Sequence, residues 1–261
     1  MKKTTLALVP FMAAGLGVLA PFDSARAQRG AAPGGPPPAA REAAPIDLTG
    51  YWVSIVNEDW RWRMVTPPPG DYASVPLNDA GREAAGGWDL EADAGNGNAC
   101  RPFGVGGIMR VPGRVHITWP DADTLQIDTD AGSQTRLLYF APGASPAGEP
   151  TWQGRSTAAW ERVGGGRGQA SGGTLKVVTT GMKMGYLRWN GVPYSENAVI
   201  TEYFDRHGAF DQEWFTVTTI VEDPTYLNQP FVTSTHFRRE PDGSKWDPTP
   251  CRTEPPTVGT R

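Results

Sequence analysis

The sequence predicts an all-β chain closed as an antiparallel up-and-down barrel with one short helix, and three observations point to it. About eight short runs alternate apolar and polar residues with the period of two that a strand needs. They are joined mostly by brief turn signals such as "PDAD", "DAGS", "HGAFD" and "PDGS", with no long βαβ crossovers between them. An open meander of that length would expose two edges and a wide apolar face, and closure removes both. A two-sheet β-sandwich is the alternative, because its strands are equally short and also turn one face inward.

The chain begins "MKKTTLALVPFMAAGLGVLAPFDSARAQ", with two lysines, an apolar stretch from Leu6 to Ala20 and a small-x-small pattern at Ala25-Arg26-Ala27. That order predicts a secretory signal peptide over residues 1–27, with Gln28 starting the mature chain in the periplasm or outside the cell. Residues 28–45, "QRGAAPGGPPPAAREAAP", are nearly all Pro, Ala and Gly and predict a spacer that buries nothing. Residues 46–261 then form the single barrel domain. Beyond the leader, no stretch approaches the ~20 apolar residues of a membrane span.

Strands are expected at "GYWVSIV" (50–56), "WRWRMV" (60–65), "RVHITW" (114–119), "TLQIDTD" (124–130) and "QTRLLYF" (134–140). They continue at "STAAWERV" (156–163), "TLKVVTTGM" (174–182), "AVITEYFDRH" (198–207), "EWFTVTTIVED" (213–223) and "FVTSTHFRRE" (231–240). The one helix is "PLNDAGREAAGGWD", with Asn78 as N-cap and Gly86-Gly87 as the stop. Cys100 and Cys251 are the only cysteines. In an oxidising compartment they predict a structural disulfide rather than a catalytic thiol.

A resemblance supports the barrel. "DLTGYW" is similar to the Gly-x-Trp of the first strand in lipocalin-like (calycin) barrels, here Gly50 and Trp52, and "FRRE" resembles their late-strand Arg, here Arg238 or Arg239. The resemblance implies that the Trp and the Arg pack together to close one barrel end. The family's Thr-Asp-Tyr motif has only a faint echo in "EDPTYL" (222–227). The chain also resembles a family of secreted bacterial proteins, which implies no activity.

Without the leader the chain carries 21 basic and 27 acidic residues, so nothing in it suits the phosphates of a nucleic acid. Gly-x-Ser-x-Gly, HExxH, His-x-His, CxxC and phosphate-loop patterns are all lacking from the sequence, and "RVGGGRGQASGG" (162–173) reads as a flexible hairpin loop. The three histidines, His116, His207 and His236, fall on or beside different strands, and their spacing demands neither a metal nor any other cofactor.

Strand register supplies the candidate chemistry. Pairing Trp119 with Leu125 puts Val115, Ile117, Leu125, Ile127 and Thr129 on one apolar face, and sets His116 opposite Asp128 and Arg114 opposite Asp130. Carrying the register through "DAGS", with Asp130 opposite Gln134, adds Arg136 to a His116, Asp128, Arg136 cluster and moves Leu137 and Tyr139 to the apolar face. Such a cluster is either a solvent-side ion-pair ladder or a general base with an oxyanion partner. On the 198–207 strand, Glu202 shares a face with Ile200 and Phe204, while Tyr203, Asp205 and His207 share the other. Either Glu202 or Tyr203 therefore points inward, and an inward Glu202 would be a fourth catalytic candidate.

Aromatic side chains mark the ligand candidates. Trp60 and Trp62 would share a strand face, opposite Arg61 and Arg63, as a pocket floor or a stacking platform. Residues 182–198, with Tyr186, Trp189 and Tyr194, read as a lid loop, and Tyr139, Tyr203 and Trp214 add strand-borne rings. The expected function is binding of a small apolar or aromatic molecule inside the barrel. A cofactor-independent acid/base enzyme of isomerase, lyase or hydrolase type and a glycan-binding envelope protein are the alternatives.

Overall fold

A computed structural model of the protein describes residues 37–141, 147–162 and 172–251, so the expected signal peptide and the core of the glycine-rich loop lie outside the described residues. Among these residues nine strands close a barrel. In chain order they are β1 (Gly50–Ile55), β2 (Arg114–Thr118), β3 (Thr124–Thr129), β4 (Gln134–Tyr139), β5 (Arg155–Arg162), β6 (Gly173–Thr180), β9 (Val199–Ala209), β10 (Gln212–Glu222) and β11 (Phe231–Glu240). The short pair β7 (Gly185–Tyr186) and β8 (Pro193–Tyr194) stands apart. Around the barrel the order is β1-β11-β10-β9-β6-β5-β4-β3-β2, and β2 pairs back onto β1.

The expected all-antiparallel meander needs one correction. β4 and β5 run parallel and meet only at Leu138 opposite Ser156 and Tyr139 opposite Thr157. A parallel connection must carry the chain back along the barrel, which takes a dozen or so residues. β4 ends at Tyr139 and β5 begins at Arg155, a separation in sequence long enough for that return.

Alternation sets the core. Trp52, Ile117, Ile127, Leu138, Leu175, Val177, Phe204, Phe215 and Phe237 all point into the lumen and are essentially inaccessible to water. Phe215 stacks on Phe237 at 4.7 Å and meets Trp52 edge-on at 4.9 Å, so rings fill this part of the barrel. Trp52 donates its indole N–H to the Leu48 carbonyl at 2.9 Å, and the Arg239 guanidinium lies 5.1 Å over its ring. Of the two arginines weighed from the sequence, Arg239 makes this contact. Gly50 makes room for it, because it adopts φ +111° and a Cβ there would lie 2.9 Å from Arg239 Nη2.

The two ends are closed differently. The end bearing the β2–β3 and β9–β10 hairpins is crossed by residues 38–47, which the sequence assigned largely to the spacer. They are held by Arg41 N–H to Ala122 O (3.0 Å), Ala40 N–H to Asp123 Oδ1 (2.8 Å) and Trp160 Nε1 to Ala40 O (2.8 Å). The opposite end is covered by residues 56–113 and plugged by residues 181–198.

This cap holds α1 (Trp60–Arg63), α2 (Asp79–Gly86), α3 (Leu90–Gly95), a 3-10 turn (Arg101–Phe103) and α4 (Val105–Ile108). α2 is the expected helix, and Asn78 Oδ1 caps it by accepting from Gly81 N at 2.8 Å. The others correct the expectation of one helix, and α1 replaces the expected strand at 60–65. α4 packs against the plug through Gly106 and Gly107, where a Cβ would lie 2.5 Å from the Tyr194 ring and 2.7 Å from the Tyr186 carbonyl respectively. No helix among the described residues is long and apolar enough to cross a membrane.

Cys100 and Cys251 form the expected disulfide across a separation of 151 residues, tying the cap to the end of the described chain. The loop-entropy model assigns so long a loop about 4 to 5 kcal/mol. Replacing both cysteines with serine should therefore lower unfolding stability by up to about that amount, with no loss of β content. Denaturant titration of the two proteins side by side checks this, and an unchanged midpoint would contradict it.

Candidate functional site

The four candidate catalytic residues do not form one site. β2 and β3 pair in the register read from the sequence, with His116 opposite Asp128, and this face points outward. His116 stacks on Tyr51 at 4.0 Å, and Asp128 accepts from Gln126 Nε2 (2.7 Å) and Thr135 Oγ1 (2.6 Å). The β3–β4 register, however, differs by one residue: Thr129, not Asp130, lies opposite Gln134. Asp130 leaves the ladder to accept from Arg114 N (2.7 Å) and Ala131 N (2.6 Å), while Gly132 and Ser133 turn the chain with positive φ.

That single step moves every β4 side chain to the other face. Arg136 enters the lumen and is 1% exposed, while Leu137 turns out to water and Tyr139 with it. Inside, Arg136 meets Glu202 through Nη1–Oε1 at 3.2 Å and a second contact from Nη2 to Oε2. Glu202 is wholly buried, so of the two facings left open it takes the inward one. Tyr203 faces out, with the Lys176 ammonium 5.6 Å over its ring, and the pairing makes Glu202 the partner of a buried cation instead of a free acid.

The aromatic candidates scatter. Trp214 lies on the outer face and donates to Ala209 O at 3.0 Å. Tyr194 is fully buried beneath α4, and burial pushes its hydroxyl pKa up. Trp60 is 65% exposed, but Trp62 is not beside it, because side chains two apart on a helix point to nearly opposite sides. The expected two-ring platform is therefore absent. His207 is exposed at the end crossed by residues 38–47, His116 and His236 are elsewhere on the outer face, and among the described residues no three His, Cys, Asp or Glu groups cluster as metal ligands.

Three of the aromatic candidates do converge. Trp62 from α1, and Tyr186 and Trp189 from the plug, line one small pocket between cap and plug, together with Arg63, Arg110 and Arg188. Residues 186–194 are an unusually deep loop: Leu187, Arg188, Asn190 and Val192 are all at most 4% exposed. Tyr186 is fixed by donating to Asp93 Oδ2 at 2.7 Å, and Arg101 Nη1 donates to the other Asp93 oxygen at 2.5 Å. Burial, then the bond to Asp93, push the Tyr186 pKa up to about 12.

The three pocket arginines differ in what they lack. Arg63 is fully engaged: Nε donates to Arg110 O (2.9 Å), Nη2 to Ser54 Oγ (2.9 Å) and Nη1 to Glu58. Arg110 donates from Nη2 to Asp59 Oδ2 at 3.0 Å and leaves Nη1 without a partner. Arg188 donates from Nη1 to Ala73 O at 2.6 Å, and its Nε and Nη2 have none. Its guanidinium lies 4.6 Å over the Trp62 ring, and burial, then Arg110, hold its pKa down at about 10. Both Trp62 Nε1 and Trp189 Nε1 are also buried without partners.

Buried polar atoms without partners are rare in proteins, and most of those among the described residues sit in this cap and plug. Sequence reasoning missed Arg63, Arg110 and Arg188. The signal available for them is local: "DWRWRM", "GIMRVP" and "GYLRWN" each set an arginine among aromatic, apolar and glycine residues, where a charge is costly. Compared with known proteins, the chain matches no family model, no curated protein and no solved structure.

Two measurements check these assignments. Arg136→Met leaves Glu202 buried without its partner and should cost about 3 to 5 kcal/mol in denaturant unfolding, most of which the double variant with Glu202→Leu recovers. Additive losses in the double variant would contradict the pairing. The raised Tyr186 pKa means its neutral form is favoured in the fold. That contribution, about 2 to 3 kcal/mol, is complete below the unfolded pKa near 10 and is lost as pH rises toward about 12. Tyr186→Phe loses the bond to Asp93 and should be somewhat less stable at neutral pH, but, with no phenolate to bury, should decline less steeply than the parent across that window.

Proposed function

We propose that the protein binds a small molecule with an apolar or aromatic body, as lipocalin-like barrels do, but at the capped mouth and not in the lumen. One observation carries this: Trp62, Tyr186 and Trp189, from separated segments, meet around one pocket, whereas Trp52, Phe204, Phe215 and Phe237 occupy the lumen. The same lining sets the apolar Pro102, Val111 and Leu187 next to Arg63, Arg110 and Arg188. An apolar wall around a partly polar socket suits a ligand with an apolar body and a polar head. The leader pattern and the disulfide support action in an oxidising compartment such as the periplasm.

Titrating a library of small apolar and aromatic molecules should change the tryptophan fluorescence of the wild-type protein, with Trp62→Leu weakening the best ligand by roughly tenfold or more. Trp160→Phe, at the far end of the barrel, should leave that affinity unchanged. A ligand equally sensitive to both substitutions, or no response across the library, would rule the mouth out.

A further inference from the structure

We infer that the capped-mouth pocket takes the carboxylate of an amphiphilic monocarboxylic acid, with the free edge of Arg188 as its main partner and Arg110 as a second donor. This rests on the reading that the mouth is the ligand site. The first argument is the shape of what is unpartnered. Arg188 Nη1 is occupied by Ala73 O and one face of the guanidinium lies over Trp62, so what remains is the edge bearing Nε and Nη2. Those two N–H groups are parallel and side by side, the fork that a carboxylate meets with both oxygens.

Charge gives the second argument. Around the pocket Arg61 pairs with Asp71, Arg63 with Glu58, Arg101 with Asp93 and Arg110 with Asp59. Arg188, 4% exposed, has no carboxylate at ion-pair distance among the described residues. A buried guanidinium without a counter-charge is unfavourable, and one negative charge balances it. A monoanion fits that balance, whereas a dianionic phosphate exceeds it.

Size and surroundings complete the case. The space open to the centre of a water-sized group is about 20 Å³, enough for one compact head group and not for a whole ligand. The body then extends past the apolar lining residues Trp62, Pro102, Val111 and Leu187, which makes the ligand amphiphilic.

The test compares octanoate and benzoate with 1-octanol, benzyl alcohol and inorganic phosphate, by calorimetry and tryptophan fluorescence on the wild-type protein and on Arg188→Met. Each acid should bind roughly tenfold or more tighter than its alcohol, and Arg188→Met should erase that advantage by weakening the acid far more than the alcohol. Removing an unpaired buried charge should not lower the melting temperature of Arg188→Met, and the wild-type comparison stands without the variant. Equal binding of acid and alcohol overturns the carboxylate inference while leaving the mouth as a ligand site. Phosphate displacing octanoate at lower concentration overturns it in favour of an inorganic oxyanion. If no acid and no alcohol binds, the mouth fails as a ligand site and the inference with it.

Discussion

The pairing of Arg136 with Glu202 is the constraint on which the barrel turns. Both side chains are fully buried, so each would be strongly unfavourable alone, and two strands, β5 and β6, separate their own strands around the wall. The pair therefore spans the lumen past the weakest part of the sheet, where β4 and β5 share only two residue pairs. It also dictates facing. A one-step slip of β4 would put the guanidinium in water and strand the carboxylate among Ile200, Phe204 and Val177, so one register is strongly preferred.

Polar groups are handled in opposite ways at the barrel and at its cap. In the lumen, what is polar is largely matched: Ser156 and Thr179 bond at 2.7 Å, and Arg136 meets Glu202. Between cap and plug, glycines in α4 let backbone approach closely while indole and guanidinium N–H groups remain unmatched. Stability alone gives no reason to bury donors in this way. Local rules that hold through most of a chain and fail together in one place mark a surface shaped for something other than the fold.

What could be read from the sequence follows the range of the forces involved. Barrel strands obey a two-residue period, so their positions were legible, as were the β2–β3 register and the Asn78 cap, which depend on neighbours in the chain. The β3–β4 register was not, because the turn is decided by Asp130 bonding backbone across from Arg114, which alternation does not encode. Trp60 and Trp62 imitate a strand because Trp-Arg-Trp-Arg alternates with period two, although four residues are too few to distinguish a strand from one helical turn. The pocket was half legible: its aromatic residues stood out by type, but its arginines are brought together only by packing among α1, the segment after α4 and the plug.

The parallel contact between β4 and β5 has a consequence of parity. Around a closed ring, neighbouring strands can alternate in direction all the way only if their number is even. Nine strands close this ring, so a like-directed pair must occur somewhere whatever residues stand at the join. No substitution along β4 or β5 can make the wall uniformly antiparallel. Only gaining or losing a whole strand could do that, and the long sequence separation between Tyr139 and Arg155 is what lets the chain hold an odd count.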